Sequence, residues 1–204
     1  MTELTIQCKG VSGMLMNPMT DETLGELISG VRKPRLKDRL IEDAAAERMY
    51  RDEKGQMGFP AINLISALKY AGRSVKNGKK AVSTATSTTL FSFLEFPNEF
   101  IPFDGLDEKG EIPWKTDKRR GVMKNGASSV AVGIVRPRFN NWGFTVKVNL
   151  NEKLIREETV KELFAEAGTN AGLCDFRPSK GGPFGRFEVV DFKAVSNGNG
   201  AGKK

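Results

Sequence analysis

The chain has no histidine among its 204 residues. That absence excludes Ser-His-Asp and Cys-His catalysis, His-ligated zinc and any imidazole general base. Cysteine is nearly as scarce. Cys8 and Cys174 lie far apart, so they form no CxxC redox pair, zinc knuckle or disulfide framework, and both read as plain reduced thiols. No apolar run approaches the roughly 18 residues that argue for a membrane span. The N-terminal MTELTIQCKG lacks the basic and apolar regions of a signal peptide. We therefore expect a cytoplasmic protein with no membrane partner. Asp104, Asp107, Glu108 and Glu111 cluster within DGLDEKGE and read as an acidic loop, so no metal site and no cofactor are expected.

What is present suits a folded domain. Hydrophobic residues make up 39% and charged residues 28%, enough apolar material for a core. Lys and Arg number 32 against 25 Asp and Glu, a net charge of +7. A basic chain without the commonest catalytic side chain reads as a binder, and no catalytic residue is assigned.

LTIQC (4–8) alternates as a first strand, and Leu36 to Arg51 is expected to be helical around Ala44, Ala45 and Ala46. Pro60 opens a clearer helix over 60–75, where Ala61, Leu64, Ile65, Leu68 and Gly72 recur at three- and four-residue steps. STTLFSFLEF reads as a strand, and Pro97 to Gly126 as long loops. Val130, Val132 and Ile134 mark one strand, and Phe144, Val146, Val148 and Leu150 another, with RPRFNNW as the hairpin turn between them. A helix follows over 156–167, striped by Val160, Leu163 and Phe164. After it come a Gly-rich loop and a last strand, RFEVVDF. The order βαββαβ predicts an α+β fold of the ferredoxin-like or RRM-like kind, an antiparallel sheet backed by two helices. Two long insertions, about 14–57 and 77–128, decorate one domain over 1–192. Residues 193–204 read as a disordered tail.

Three basic groups stand out. Arg32, Lys33, Arg35, Lys37 and Arg39 fall in the first insertion, and Lys115, Lys118, Arg119, Arg120 and Lys124 in the second. Arg136 and Arg138 sit at the hairpin beside Phe139 and Trp142. Fixed cations suit phosphates, arginine most of all. Bases of a single strand also stack on flat side chains, for roughly 1–3 kcal/mol each. Phe139 and Trp142 admit two uses: stacking on bases, or closing the hairpin as a small apolar cluster. In the Gly-rich stretch, Gly172, Gly181 and Gly182 are interleaved with Arg177, Lys180 and Arg186. Neither GxxxxGK[ST] nor GxGxxG after a strand is present, so a nucleotide-triphosphate loop is not supported. Glycines there let backbone approach an anion or another backbone segment.

Three segments resemble the RAMP superfamily, the ferredoxin-like RNA-binding subunits of CRISPR effector complexes. GFPAINLISALKYAGR resembles the first-helix segment, VAVGIVRPRF with WGFTVKVNL the central hairpin, and GLCDFRPSKGGPFGRFEV the C-terminal glycine-rich loop and strand. The chain is short for a full-sized backbone subunit, which leaves room for a solitary or phage-borne relative. The resemblance implies contact with the sugar-phosphate backbone of single-stranded RNA, head-to-tail assembly on the strand, and work as a homo-oligomer or ribonucleoprotein subunit. Single-stranded DNA remains open as the partner. Two other readings are carried: a non-catalytic interaction or inhibitor protein mimicking such a subunit, and a metal-independent ribonuclease moving protons through Tyr50, Tyr70, Lys or Arg.

Overall fold

The computed structural model describes residues 1–31, 40–126 and 128–196. In chain order its elements begin with β1 (Thr2–Gly10), β2 (Met14–Leu15), α1 (Asp21–Ser29), α2 (Ile41–Ala46), β3 (Gly58–Pro60) and α3 (Ala61–Ala71). There follow the short ribbon β4 (Lys76–Asn77) and β5 (Lys80–Ala81), then α4 (Leu90–Phe93), β6 (Leu94–Glu95) and β7 (Phe100–Pro102). The last elements are β8 (Lys115–Asn125), β9 (Ser128–Phe139), β10 (Gly143–Leu150), α5 (Glu157–Glu166) and β11 (Phe187–Ser196). The architecture is α+β with antiparallel sheets.

Period-two alternation builds the main sheet. On β1, Leu4, Ile6 and Cys8 are buried while Glu3, Thr5, Gln7 and Lys9 point the other way. On β10, Phe144, Val146, Val148 and Leu150 are buried. The strand order is β11-β1-β10-β6, every neighbour antiparallel. The apolar stripes of α3 (Leu64, Ile65, Leu68) and α5 (Val160, Leu163, Phe164) join these strands in one core.

A second sheet, β2-β9-β8, corrects the reading of the middle of the chain. Residues 115–125, expected to be loop, are strand β8. They pair with β9 from Lys115↔Arg138 to Asn125↔Ser128. The two strands form a long arm whose outer part is exposed on both faces, so β8 lacks the one-sided hydrophobic pattern that marks a strand. RPRFNNW is therefore no hairpin turn. Its first half continues β9, and the chain then turns a corner into the other sheet at Trp142, whose carbonyl accepts from Gly10 N–H at 2.8 Å.

Three smaller corrections have local causes. In STTLFSFLEF, one helical turn buries Leu90 and Phe93, three residues apart, and leaves only Leu94–Glu95 as strand. Of the helix expected over 36–51, residues 41–46 are helical, whereas 36–39 lie outside the described residues. β11 runs to Ser196, so 193–196 belong to the sheet rather than to a tail; 197–204 lie outside the described residues.

Candidate nucleic-acid interface

The amphipathic pattern that buries one face of α3 leaves the opposite face polar. Asn63, Ser66, Lys69, Tyr70 and Arg73 recur at three- and four-residue steps, so they line one side of the helix and its C-terminal turn. Opposite them lies the Gly-rich loop, folded tightly on itself. A Cβ on Gly182 would sit 1.8 Å from the Phe176 carbonyl oxygen, and one on Gly185, at φ +74°, 2.1 Å from that of Leu173. These glycines serve backbone-on-backbone packing, the second of the two uses open from sequence. The folded loop presents Arg177 and Lys180 toward α3.

Between helix and loop lies a groove of about 450 Å³. Lys69, Arg73, Arg177 and Lys180 line it, with the hydroxyl-rich turn 84–88 along its rim and no carboxylate among the described residues. Arg177 is held in place: its Nε donates to Ser179 Oγ at 3.0 Å and its Nη1 to the Cys174 carbonyl at 2.5 Å. The Arg73 guanidinium lies 5.2 Å from the centre of the Tyr70 ring. Tyr70 is itself exposed, so one aromatic face borders four cations. Of these groove residues, Arg177 and Lys180 are visible in the sequence pattern as candidates. Tyr70 is a candidate there only as a proton carrier, and Lys69 and Arg73 are not singled out, because isolated cations on an amphipathic helix resemble any solvated face. Their signal is the polar stripe complementary to the core stripe.

The other candidates separate into three groups. Arg32, Lys33, Arg35, Lys37 and Arg39 lie outside the described residues. Lys118, Arg119 and Arg120 are exposed on the arm; Lys118 and Arg120, two residues apart, share one of its faces. Lys124 lies on the same strand, paired in register with Ser129. Arg186 is exposed where the loop enters β11, with its backbone tied to Ser12.

The third group is structural. Phe139 and Trp142 are buried, so neither can stack on a base. Phe139 packs 5.3 Å from the Phe103 ring, and Trp142 lies parallel to Phe144 at 6.3 Å while its Nε1 donates to the Ser12 carbonyl at 2.8 Å. Arg136 is 4% exposed and bridges two carboxylates, Asp117 Oδ2 at 3.1 Å and Asp175 Oδ2 at 2.7 Å. It therefore ties the base of the arm to the Gly-rich loop instead of meeting phosphate. Arg119 adds two bonds of 2.9 Å to Asp117. Arg119 and Arg138 lie over the Phe184 ring of the loop at 4.7 and 5.4 Å.

The outer face of the main sheet is chemically different. Glu3, Lys9, Glu95, Lys147, Glu188, Asp191 and Lys193 mix both signs there, and Lys147 is paired with Glu3 at 3.2 Å. The positions facing that side on β1 and β10 are Glu3, Thr5, Gln7, Lys9, Thr145, Lys147 and Asn149, half-buried or exposed, with no aromatic among them.

No protein-family model matches the chain, and no curated protein matches it. Among solved structures it is similar to a chain of the Type III-B Cmr-beta complex, determined by cryo-EM bound to cognate target RNA. The match has a TM-score of 0.58 at 10% identity and covers 96% of this chain. It covers 61% of the other, so the chain spans about three-fifths of that subunit's length. The likeness is one of fold. No helix among the described residues is long and apolar enough to cross a membrane.

Proposed function

We propose that this protein binds single-stranded RNA along the groove between α3 and the Gly-rich loop, as a non-catalytic subunit of a CRISPR-type ribonucleoprotein. The observation that carries this reading is the convergence of Lys69, Arg73, Arg177 and Lys180 on one groove with no carboxylate in its lining. Phosphates are attracted there and nothing in the lining repels them, while Tyr70 offers a face for a base. The arm extends the positive surface with Lys118 and Arg120.

Fold and surface support the same reading. Numbered by chain order, the four strands of the main sheet lie 4-1-3-2, the arrangement of a ferredoxin-like core. The fold is also that of a subunit in a complex solved with RNA. An RRM-type mode, with bases stacked on sheet aromatics, is disfavoured by the aromatic-free outer face of β1 and β10. A subunit role accords with α1, which buries none of its residues and exposes Leu24, Leu27 and Ile28 as a stripe for a protein neighbour. A ribonuclease reading gains little from Tyr50, because burial raises its phenol above the ordinary value and holds it protonated, unsuited to act as a general base.

Fluorescence anisotropy with a labelled unstructured RNA, titrated between about 50 and about 200 mM salt, tests the proposal. The four groove cations alone give a log-log slope of roughly −2.8, at about −0.7 per contact on a single strand, and with the two arm cations roughly −4.2. Charge reversal at Arg73 and Lys180 is expected to abolish binding at the higher salt. Failure of the wild-type protein to bind at low salt would sink the reading.

A further inference from the structure

Two cations at the base of the arm carry charge that the fold leaves uncompensated. Lys115 and Arg138 stand opposite each other in the β8–β9 register. Side chains directly opposite on antiparallel strands share a face, with Cβ atoms about 4.5–5.5 Å apart, and like charges so placed repel. On its other side Arg138 is paired with Leu15, a fully buried residue with no acceptor in its side chain. The two acids of this region are already taken. Asp117 receives Arg119 at 2.9 Å and Arg136 at 3.1 Å, and Asp175 receives Arg136 at 2.7 Å. Four cations thus meet two carboxylates, and the two left over are Lys115 and Arg138, neither of which has an ion-pair partner among the described residues.

The Arg138 head is also held in place. It lies over the Phe184 ring at 5.4 Å, and a Cβ on Gly13 would come within 3.2 Å of its Nε. Gly13 has no positive φ, so its glycine serves this close approach rather than an unusual backbone conformation. Arg138 Nε is buried there with no hydrogen-bond partner. A guanidinium drawn partly out of water, beside a lysine and without a carboxylate, costs stability in the free protein.

We propose that Lys115 and Arg138 together bind a phosphate group at the base of the arm. Arginine supplies fixed, forked donors and lysine a mobile point charge, and an anion held between them turns their repulsion into attraction. The site is separate from the groove, since neither residue lines it, and the inference does not rest on the reading of the groove. Its phosphate can come from the end of a nucleic-acid strand, from within a strand, or from free phosphate.

Thermal melts of the full chain in inorganic phosphate and in chloride, at equal ionic strength, test the site. A ligand at about ten times its dissociation constant raises the melting temperature of a chain of this size by about 3–5 °C, and that rise is expected in phosphate. Lys115→Gln should abolish the rise and, in chloride, melt no lower than wild type, because it relieves a like-charge pair at an exposed position. Arg138→Met, which keeps an apolar contact on Phe184, should abolish the rise as well, whereas Lys180→Ala in the groove should keep it. No rise in the wild-type protein, a rise that survives Lys115→Gln, or a rise lost in Lys180→Ala would overturn the inference and leave the groove reading intact. Anisotropy with 5′-phosphorylated and 5′-hydroxyl RNA of one sequence then separates the sources. A loss in Lys115→Gln confined to the phosphorylated RNA places a strand end in the site, an equal loss for both places an internal phosphate there, and no loss for either leaves free phosphate as the ligand. A Lys115-dependent rise in a protein that binds no RNA at low salt would sustain this inference and overturn the groove reading alone.

Discussion

Arg136 and Lys180 are both cations in basic, glycine- or proline-punctuated sequence, yet their environments assign them opposite work. Arg136 is buried between Asp117 and Asp175, so its removal strands the buried Asp117 carboxylate. Arg136→Ala is expected to cost about 3–5 kcal/mol in a urea melt, the usual consequence of breaking one side of a buried pair. Lys180→Ala, at an exposed site, should stay within about 0.5 kcal/mol of wild type and weaken RNA binding instead. A destabilised Lys180 variant, or a fully stable Arg136 variant, would contradict the division. The thiols give a second check. Burial pushes Cys174 up to about 12 against the pull of Arg177, and burial with a contribution from Asp104 raises Cys8 as well. In the unfolded chain both ionise near pH 9, but in the folded chain they stay protonated, so the unfolded state binds fewer protons above that pH. Their contribution to stability is full below about pH 9 and is lost as pH rises beyond it. The urea midpoint should therefore fall between about pH 8 and about pH 10, and iodoacetamide at the lower pH should label neither cysteine until the protein unfolds.

At the scale of elements, the helices and the strands packed on one side were legible, because burial on a single face writes a period into the sequence. β1, α3, β10 and α5 lie where the periodicity of Leu4, Leu64, Val146 and Leu163 places them. The arm was not legible. With solvent on both faces of its outer part, β8 needs no alternation, and KTDKRRGVMK reads as a charged loop. Without β8 the partner of β9 is hidden, so the sequence leaves Phe139 and Trp142 open between stacking on bases and an apolar cluster; the structure buries both between the two sheets. The groove was half legible, since the Gly-rich loop is conspicuous while the polar face of α3 is the complement of a core pattern. If the arm serves the strand, Lys118→Gln with Arg120→Gln should flatten the salt slope by roughly 1.4, two contacts at about 0.7 each. Both side chains are exposed, so the melting temperature should hold. An unchanged slope would remove the arm from the interface.

For the molecule as a whole, the distribution of charge matters more than its sum. The net charge of +7 says only that the chain favours anionic partners. The structure collects four cations around one acid-free groove, sets further cations on the arm, and leaves the outer face of the main sheet mixed in sign. A strand bound by net charge alone would contact the protein diffusely. A strand bound as proposed touches three segments distant in sequence, 66–73, 84–88 and 177–180, which line the groove together. Photo-crosslinking of RNA carrying 4-thiouridine, followed by mass spectrometric mapping of the joined peptides, reads this directly. The expected result is cross-links concentrated on those three segments. Cross-links concentrated on the outer-face residues of β1 and β10, or spread evenly over the surface, would contradict it.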